Sequence, residues 1–270
     1  MVAIPDLMLS TGVVYGSGNF LRIQERMVQT ANLARVSDVR CGMEIYTMNA
    51  GELRSIANSL TQQYSSERKL VAGLSGEVSL HAPHPPGPKY RDDLSSIQLF
   101  QDITRLTDHL NLAHIVFHSA WFTDFEMIAK LPWASLVVIE ADDGRYRHGY
   151  RDFAELQKIV NFYGFGGMLL DVAHVSEHDL DSRNTINEAM KLPSLAAVHW
   201  SASHSDEYPH VPLSVSQGSH TREATRGATW RRGLKNIIET PLGAYNQNNG
   251  DRLKALICEL DVVAEILQFD

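Results

Sequence analysis

The stretch "GMLLDVAHV", Gly167–Val175, carries the reading of the whole chain. Three apolar residues follow Gly167, and then Asp171 and His174 stand three apart. A short continuous apolar run opened by glycine fits a strand buried on both faces of a parallel sheet. The acid and the imidazole where the run stops are weak evidence by themselves, because a surface turn carries the same residues. Their weight depends on how the other strands end.

Seven further runs of the same kind recur along the chain. They are "LMLSTG" near Leu7, "CGMEIYT" near Met43, "EVSLHAP" near Val78, "HIVFHSA" near Val116, "SLVVIEADD" near Val137, "LAAVHWS" near Ala197 and "KALICEL" near Leu256. Helical patterns separate them. In "RDDLSSIQLFQDITRLTDHL", Leu94, Ile97, Ile103, Leu106 and Leu110 fall near one stripe. In "RDFAELQKIVNFYG", Phe153, Leu156, Val160 and Tyr163 do the same, with Gly164 placed as a C-cap. Two more gaps hold "NFLRIQERMVQTANLARVSD" and "SEHDLDSRNTINEAMKL". Eight strands alternating with helices predict an α/β protein, a single (β/α)8 TIM barrel forming one domain over residues 1–270. The tail admits two readings. From Leu253, the spacing of Leu256, Leu260, Val263 and Leu267 also suits one helix, which would move the last strand back to "KNIIETP", ending in Glu239. The preferred reading keeps "ALICEL", ending in Glu259, because it leaves "ATWRRGLKNII" free as the seventh helix.

Composition agrees with a soluble globular chain, at 44% hydrophobic and 21% charged residues. No apolar run approaches the roughly 18 residues of a membrane span. The opening "MVAIPDLMLSTG" lacks a basic segment leading into an apolar one, so no secretory signal is expected. The two cysteines, Cys41 and Cys258, lie in apolar runs and are expected to be buried thiols, which suits a cytoplasmic protein. The net charge of −8 argues against a general nucleic-acid coat, although "GRYRHGYR" and "TREATRGATWRRGLK" are locally basic.

Barrel chemistry sits at the C-terminal ends of the strands. On the predicted strands those ends carry His81, His118, Glu140, Asp171 with His174 after it, His199, and Glu259. With 32 acidic residues and 12 histidines in 270, six such ends in a row have chance odds on the order of one in a few hundred. Carboxylates and imidazoles converging on one mouth would repel or stay unpaired unless cations hold them. Imidazole with carboxylate and no cysteine suits zinc, manganese or iron. More than four ligands implies more than one ion, and a central carboxylate such as Glu140 is placed to bridge two of them.

The motifs "SLHAP", "VFHSA", "VIEADDG", "LDVAH", "VHWS" and "PHVPLS" resemble, in order, the metal-binding strand ends of the endonuclease IV family. These apurinic/apyrimidinic endonucleases belong to the xylose-isomerase-like TIM-barrel superfamily. The resemblance covers the last two-thirds of the chain. It implies a DNA-repair hydrolase that cleaves DNA 5′ of abasic sites by a metal-bridged hydroxide at three zinc ions. By resemblance His81, His118 and Glu140 hold the first ion. Glu140, Asp171, His199 and Glu259 hold the second, and His174 and His210 the third; Glu140 and Glu259 are the residues assigned to catalysis. Arg145, Arg147 and Trp121 are placed to bind the substrate, with the arginines along its phosphates. The chain departs from the pattern in three places. Tyr208 stands where the family has an aspartate, with Asp206 or His204 as substitutes; the Gly-x-Gly after the third-site histidine is absent; and "IYTMNAGEL" offers Tyr46 and Asn49 but no arginine for a DNA-penetrating loop.

Two other readings remain. The superfamily also contains sugar isomerases and epimerases with one divalent ion, which resemble a quartet of Glu140, Asp171, His199 and Glu259 with two glutamates shuttling a proton. Their partner would be a small sugar, with His174 touching it. A metal-stabilised barrel without chemistry is the third.

Overall fold

Strands that are apolar on both faces must be covered on both, and a closed sheet wrapped in helices achieves this. In the computed structural model the described residues are 4–14, 22–37, 40–85, 89–122, 124–141, 152–178, 181–202, 210–216, 220–225, 228, 231–242 and 252–267. Strands β1 (Leu7–Ser10), β2 (Gly42–Tyr46), β3 (Val78–His81), β4 (Leu112–His118), β5 (Val137–Glu140), β6 (Gly167–Asp171), β7 (Leu195–Trp200) and β8 (Lys235–Ile238) pair in parallel, in sequence order. β8 pairs with β1, which closes the barrel. Outside lie α1 (Ile23–Val36), α2 (Ala50–Leu60), α3 (Ser66–Ala72), α4 (Leu94–His109), α5 (Glu126–Ala129), α6 (Phe153–Tyr163), α7 (Val172–His178), α8 (Ser182–Lys191), α9 (His220–Ala224) and α10 (Arg252–Ile266). Among the described residues no helix is long and apolar enough to cross a membrane.

The last strand corrects the preferred reading of the tail. "ALICEL" belongs to α10, whose buried face includes Leu256, Glu259, Leu260, Val263 and Ile266. That spacing of three and four is helical, and fifteen residues are far too many for one barrel strand. β8 is instead "KNII", and Glu239 follows it. Cys258 is consequently exposed on α10, whereas Cys41 is buried as expected. In α4 the buried stripe is Ser96, Leu99, Phe100, Ile103 and Leu106, while Leu94 is 85% exposed and Ile97 40%. The α6 reading holds: Phe153, Leu156 and Val160 are buried, and Gly164 ends the helix in the left-handed conformation at φ 69°.

The period of two along a strand organises the interior. Met8, Val116, Val138, Leu169, Ala197 and Ile237 form an apolar cluster separate from the main core, one side chain from each of six strands. Two residues further along each of these strands, on the same face, stand Ser10, His118, Glu140, Asp171, His199 and Glu239. The apolar cluster thus plugs the barrel and forms a floor under a polar row at the C-terminal mouth. β6 can occupy its place only because Gly167 opens it. This residue has φ 154°, and a Cβ there would stand 2.6 Å from the Ser194 carbonyl oxygen and 2.7 Å from the Ala196 Cβ. Gly167→Ala should therefore lower unfolding stability by about 1–3 kcal/mol in chemical denaturation; an unchanged midpoint would contradict the close packing of β6 on the start of β7.

Candidate metal centre

The polar row converges. Four groups of three donors each bring their ligand atoms within 4.8 Å of one another: His81, His118 and Glu140; Glu140, Asp171 and His199; Asp171, His174 and His210; and His81, His199 and Glu239. The first three share Glu140 and Asp171, so they form one chain of donors rather than scattered sites.

Local structure explains each orientation. His118 and Glu140 are register partners on β4 and β5, and Asp171 and His199 on β6 and β7. Asp171 ends β6, and its Oδ1 accepts from the backbone N–H groups of Ala173 at 2.8 Å and His174 at 3.0 Å. The acid therefore caps the start of α7, and the first turn of that helix carries His174 back over the mouth. This is the physical content of the D-x-x-H spacing. His81 Nδ1 lies 3.1 Å from the Ala82 carbonyl, so it donates there and leaves Nε2 directed at Glu140 Oε2, 3.3 Å away. His118 Nε2 lies 3.4 Å from the same oxygen. The other oxygen, Glu140 Oε1, faces His174 Nδ1 at 3.2 Å. His210 Nδ1 lies 2.9 Å from Ser201 Oγ.

Electrostatics fit the same picture. Burial pushes the Glu140 carboxyl up, but the imidazoles of His118, His174, His81 and His199 more than reverse this and hold it ionised. Asp171 is likewise pushed up by burial and pulled well below the usual carboxylate range by His174, His199 and His210. Burial drives His118 down to about 3, with His81, His174 and His84 adding to the effect against Glu140, so it is a neutral imidazole with a lone pair to offer. His199 is desolvated, which lowers it, yet Glu239, Glu44 and Asp171 raise it well above the ordinary histidine value. His81 is also raised: burial lowers it, and Glu140, Glu44 and Glu239 prevail.

Do these residues fit metal ions? Among the described residues Asp171 Oδ2 and His199 Nδ1 are buried and make no hydrogen bond, although the two stand 3.8 Å apart. His199 Nδ1 lies 2.8 Å from Glu239 Oε2 in an alignment too poor for a hydrogen bond. Donors gathered this closely without satisfying one another, in a site bearing the acids Glu44, Glu140, Asp171 and Glu239, suit cations. The donor set, all imidazole and carboxylate, is that of zinc, manganese or iron.

Seven expected site residues, His81, His118, Glu140, Asp171, His174, His199 and His210, are brought together. Glu259 is not among them. It is fully buried on α10, where its Oε1 and Oε2 accept from the backbone N–H groups of Leu213 at 2.8 Å and Ser214 at 2.9 Å. Burial raises it to about 7 against the pull of those hydrogen bonds. Glu259 thus ties α10 to the segment after β7, and Glu239 stands at the end of the last strand instead. Trp121, expected to stack on a substrate, is only 2% exposed and packs its ring 4.3 Å from that of His118. Arg231 and Arg232 precede β8, on the rim opposite the mouth, where Arg231 donates to the carbonyls of Pro193 and Leu195. Arg145, Arg147, His204, Asp206 and Tyr208 lie outside the described residues. One residue escaped the sequence reading altogether: Glu44, fully buried on β2, whose Oε2 lies 3.1 Å from His199 Nε2.

Comparison with known protein families and with curated proteins yields no match. Solved structures share the fold. Endonuclease IV from Thermus thermophilus superposes with a TM-score of 0.58 at 14% identity, covering 97% of this chain and 100% of that one. D-psicose 3-epimerase from Clostridium cellulolyticum H10 gives 0.61 at 12%, covering 98% and 100%. A xylose isomerase domain containing protein from Salmonella typhimurium LT2 gives 0.54 at 13%, covering 96% and 97%. The chain therefore has the xylose-isomerase-like TIM-barrel fold. That fold is common to a nuclease and to epimerases, so the chemistry must be argued from the site.

Two predictions test the centre. Glu239→Gln should weaken zinc affinity by more than about tenfold in chelator competition, while Glu259→Gln leaves it unchanged; the reverse order would restore Glu259 to the site. An ion taking His199 Nδ1 must displace the proton that the neighbouring carboxylates hold there. Zinc affinity should therefore rise with pH above the ordinary histidine value of 6.5. A dissociation constant that stays flat from pH 6 to 8 would contradict this.

Proposed function

We propose that the chain is a multinuclear metal-dependent phosphodiester hydrolase of the endonuclease IV type, acting on DNA 5′ of abasic sites. The observation that carries this reading is the way Glu140 is divided. Its Oε2 faces His81 and His118, and its Oε1 faces His174. A carboxylate whose oxygens address different imidazole groups is built to bridge. A one-ion site needs Glu140, Asp171, His199 and Glu239 and has no use for His81, His118 and His210 as ligands.

Bound divalent ions would supply Lewis acidity for a phosphoryl oxygen and lower the pKa of a water at the centre. The chain's own residues prepare for that chemistry. His81, His118 and Glu140 would hold one ion; Glu140, Asp171, His199 and Glu239 a second; and Asp171, His174 and His210 a third. Glu140 is ionised and His118 neutral at physiological pH, the protonation states that ligation requires. The apolar plug under the row excludes water from below and keeps the charges strong. Because Arg231 and Arg232 face the opposite rim, a DNA strand at the mouth would rely on other cations.

The second reading, a one-ion sugar epimerase, is favoured by the Glu140, Asp171 and His199 group, with Glu239 Oε2 2.8 Å from His199 Nδ1, and by the epimerases that share the fold. Activity separates the two. The metal-loaded protein should nick a duplex carrying a single abasic site on its 5′ side, with binding that weakens steeply as salt rises. It should leave ketohexoses unchanged. Epimerisation of a ketohexose without nicking would overturn the hydrolase. Glu140→Gln should abolish turnover and release metal; a variant retaining both would show that Glu140 is not the bridge.

A further inference from the structure

Glu44 is the exception in the barrel's interior. Six strands give that level an apolar side chain, whereas β2 and β3 give it Glu44 and Ser79, which are register partners. A carboxylate in such a place is costly unless it is paired and hydrogen-bonded. Glu44 is 0% exposed, and its single hydrogen bond among the described residues is between Oε2 and His199 Nε2, at 3.1 Å. Its other oxygen has no hydrogen-bond partner among the described residues. The position is therefore poor as a purely structural ion pair, since an apolar side chain there would match the rest of the floor.

The contact has a consequence at the mouth. With Nε2 committed to Glu44 as a donor, the remaining ring nitrogen of His199, Nδ1, faces upward toward Glu239 Oε2 at 2.8 Å and Asp171 Oδ2 at 3.8 Å. The ring has two ligand atoms in principle, and Glu44 leaves one. His81 shows the complementary case in the same site: its Nδ1 donates to the Ala82 carbonyl, and Nε2 faces the donors. The two rings thus enter the centre through opposite nitrogens, each selected by what the other nitrogen meets.

We infer that Glu44 is a positioning residue that fixes the Nε2–H tautomer and ring orientation of His199, so that Nδ1 is the ligand offered to the ion. The inference rests on the metal-centre reading above and assigns a role to a residue that would touch neither ion nor substrate. Glu44→Leu removes the acceptor and continues the apolar floor. Glu44→Gln keeps an acceptor oxygen in place without the charge.

The test is nitrogen-15 NMR of the imidazole signals in zinc-loaded protein, read with zinc affinity by chelator competition. In the wild type, His199 should be protonated at Nε2 and coordinated through Nδ1. Glu44→Leu should weaken zinc binding by about ten- to a hundredfold, and Glu44→Gln should recover most of that loss. Near-UV circular dichroism reports whether each variant is folded, and the wild-type spectrum decides the tautomer even if the leucine variant is not. Coordination of His199 through Nε2, or full zinc affinity in folded Glu44→Leu, would overturn the role of Glu44 while leaving the metal centre standing. Failure of the wild type to take up zinc, manganese or iron would overturn the centre and this inference with it.

Discussion

Everything at the mouth depends on a strand's period of two. A side chain that faces the interior is followed, two residues later, by another on the same face, one step nearer the C-terminal rim. In this barrel the lower step is an apolar floor of Met8, Val116, Val138, Leu169, Ala197 and Ile237. The upper step on five of those six strands is His118, Glu140, Asp171, His199 or Glu239. Floor and polar row are therefore set by the same alternation, and a one-residue slip in any strand would turn both of its side chains out of the interior.

The floor also sets the electrostatic terms. It removes water from beneath the acids and imidazoles, so their charges are screened less than they would be in water. The outcome is a division of labour among chemically identical rings. His118 is driven neutral to about 3 by burial, while His199, between Glu44 and Glu239, is held charged well above the ordinary value. Neighbouring acids, rather than ring chemistry, decide which imidazole is ready for an ion and which must first give up a proton. Glu44 is the one acid that takes part from below, at the level of the floor.

Much of this was legible in the sequence, because a barrel places its functional side chains where apolar runs stop. Seven strands could be read in that way, and seven of the eight residues expected as ligands do meet at the mouth, although His210 was placed by resemblance rather than by a strand end. The eighth failed for a physical reason. "KNII" is four residues long and opens with two polar residues, whereas the tail offers a longer apolar segment whose spacing of three and four is helical. That helical spacing is the feature of the tail that favours Glu239 as the strand-end acid. Glu44 was hidden differently: it is the only charged residue in "CGMEIYT", but it stands inside its strand rather than at the end. Reading strand ends alone could not find it; asking which acid interrupts an interior face could have. Trp121, expected to bind substrate, is instead buried against His118, because which pocket a side chain meets is a property of the closed barrel.

The proposed hydrolase requires Glu140 to join two metal positions in one centre. Anomalous diffraction at the zinc, manganese and iron edges, from crystals of protein purified without chelator or added metal, tests it most directly. At least two peaks are expected, one beside His81 and His118 and another beside Asp171 and His199, with Glu140 between them. A single peak confined to Glu140, Asp171, His199 and Glu239, with His81 and His118 free of metal, would contradict it.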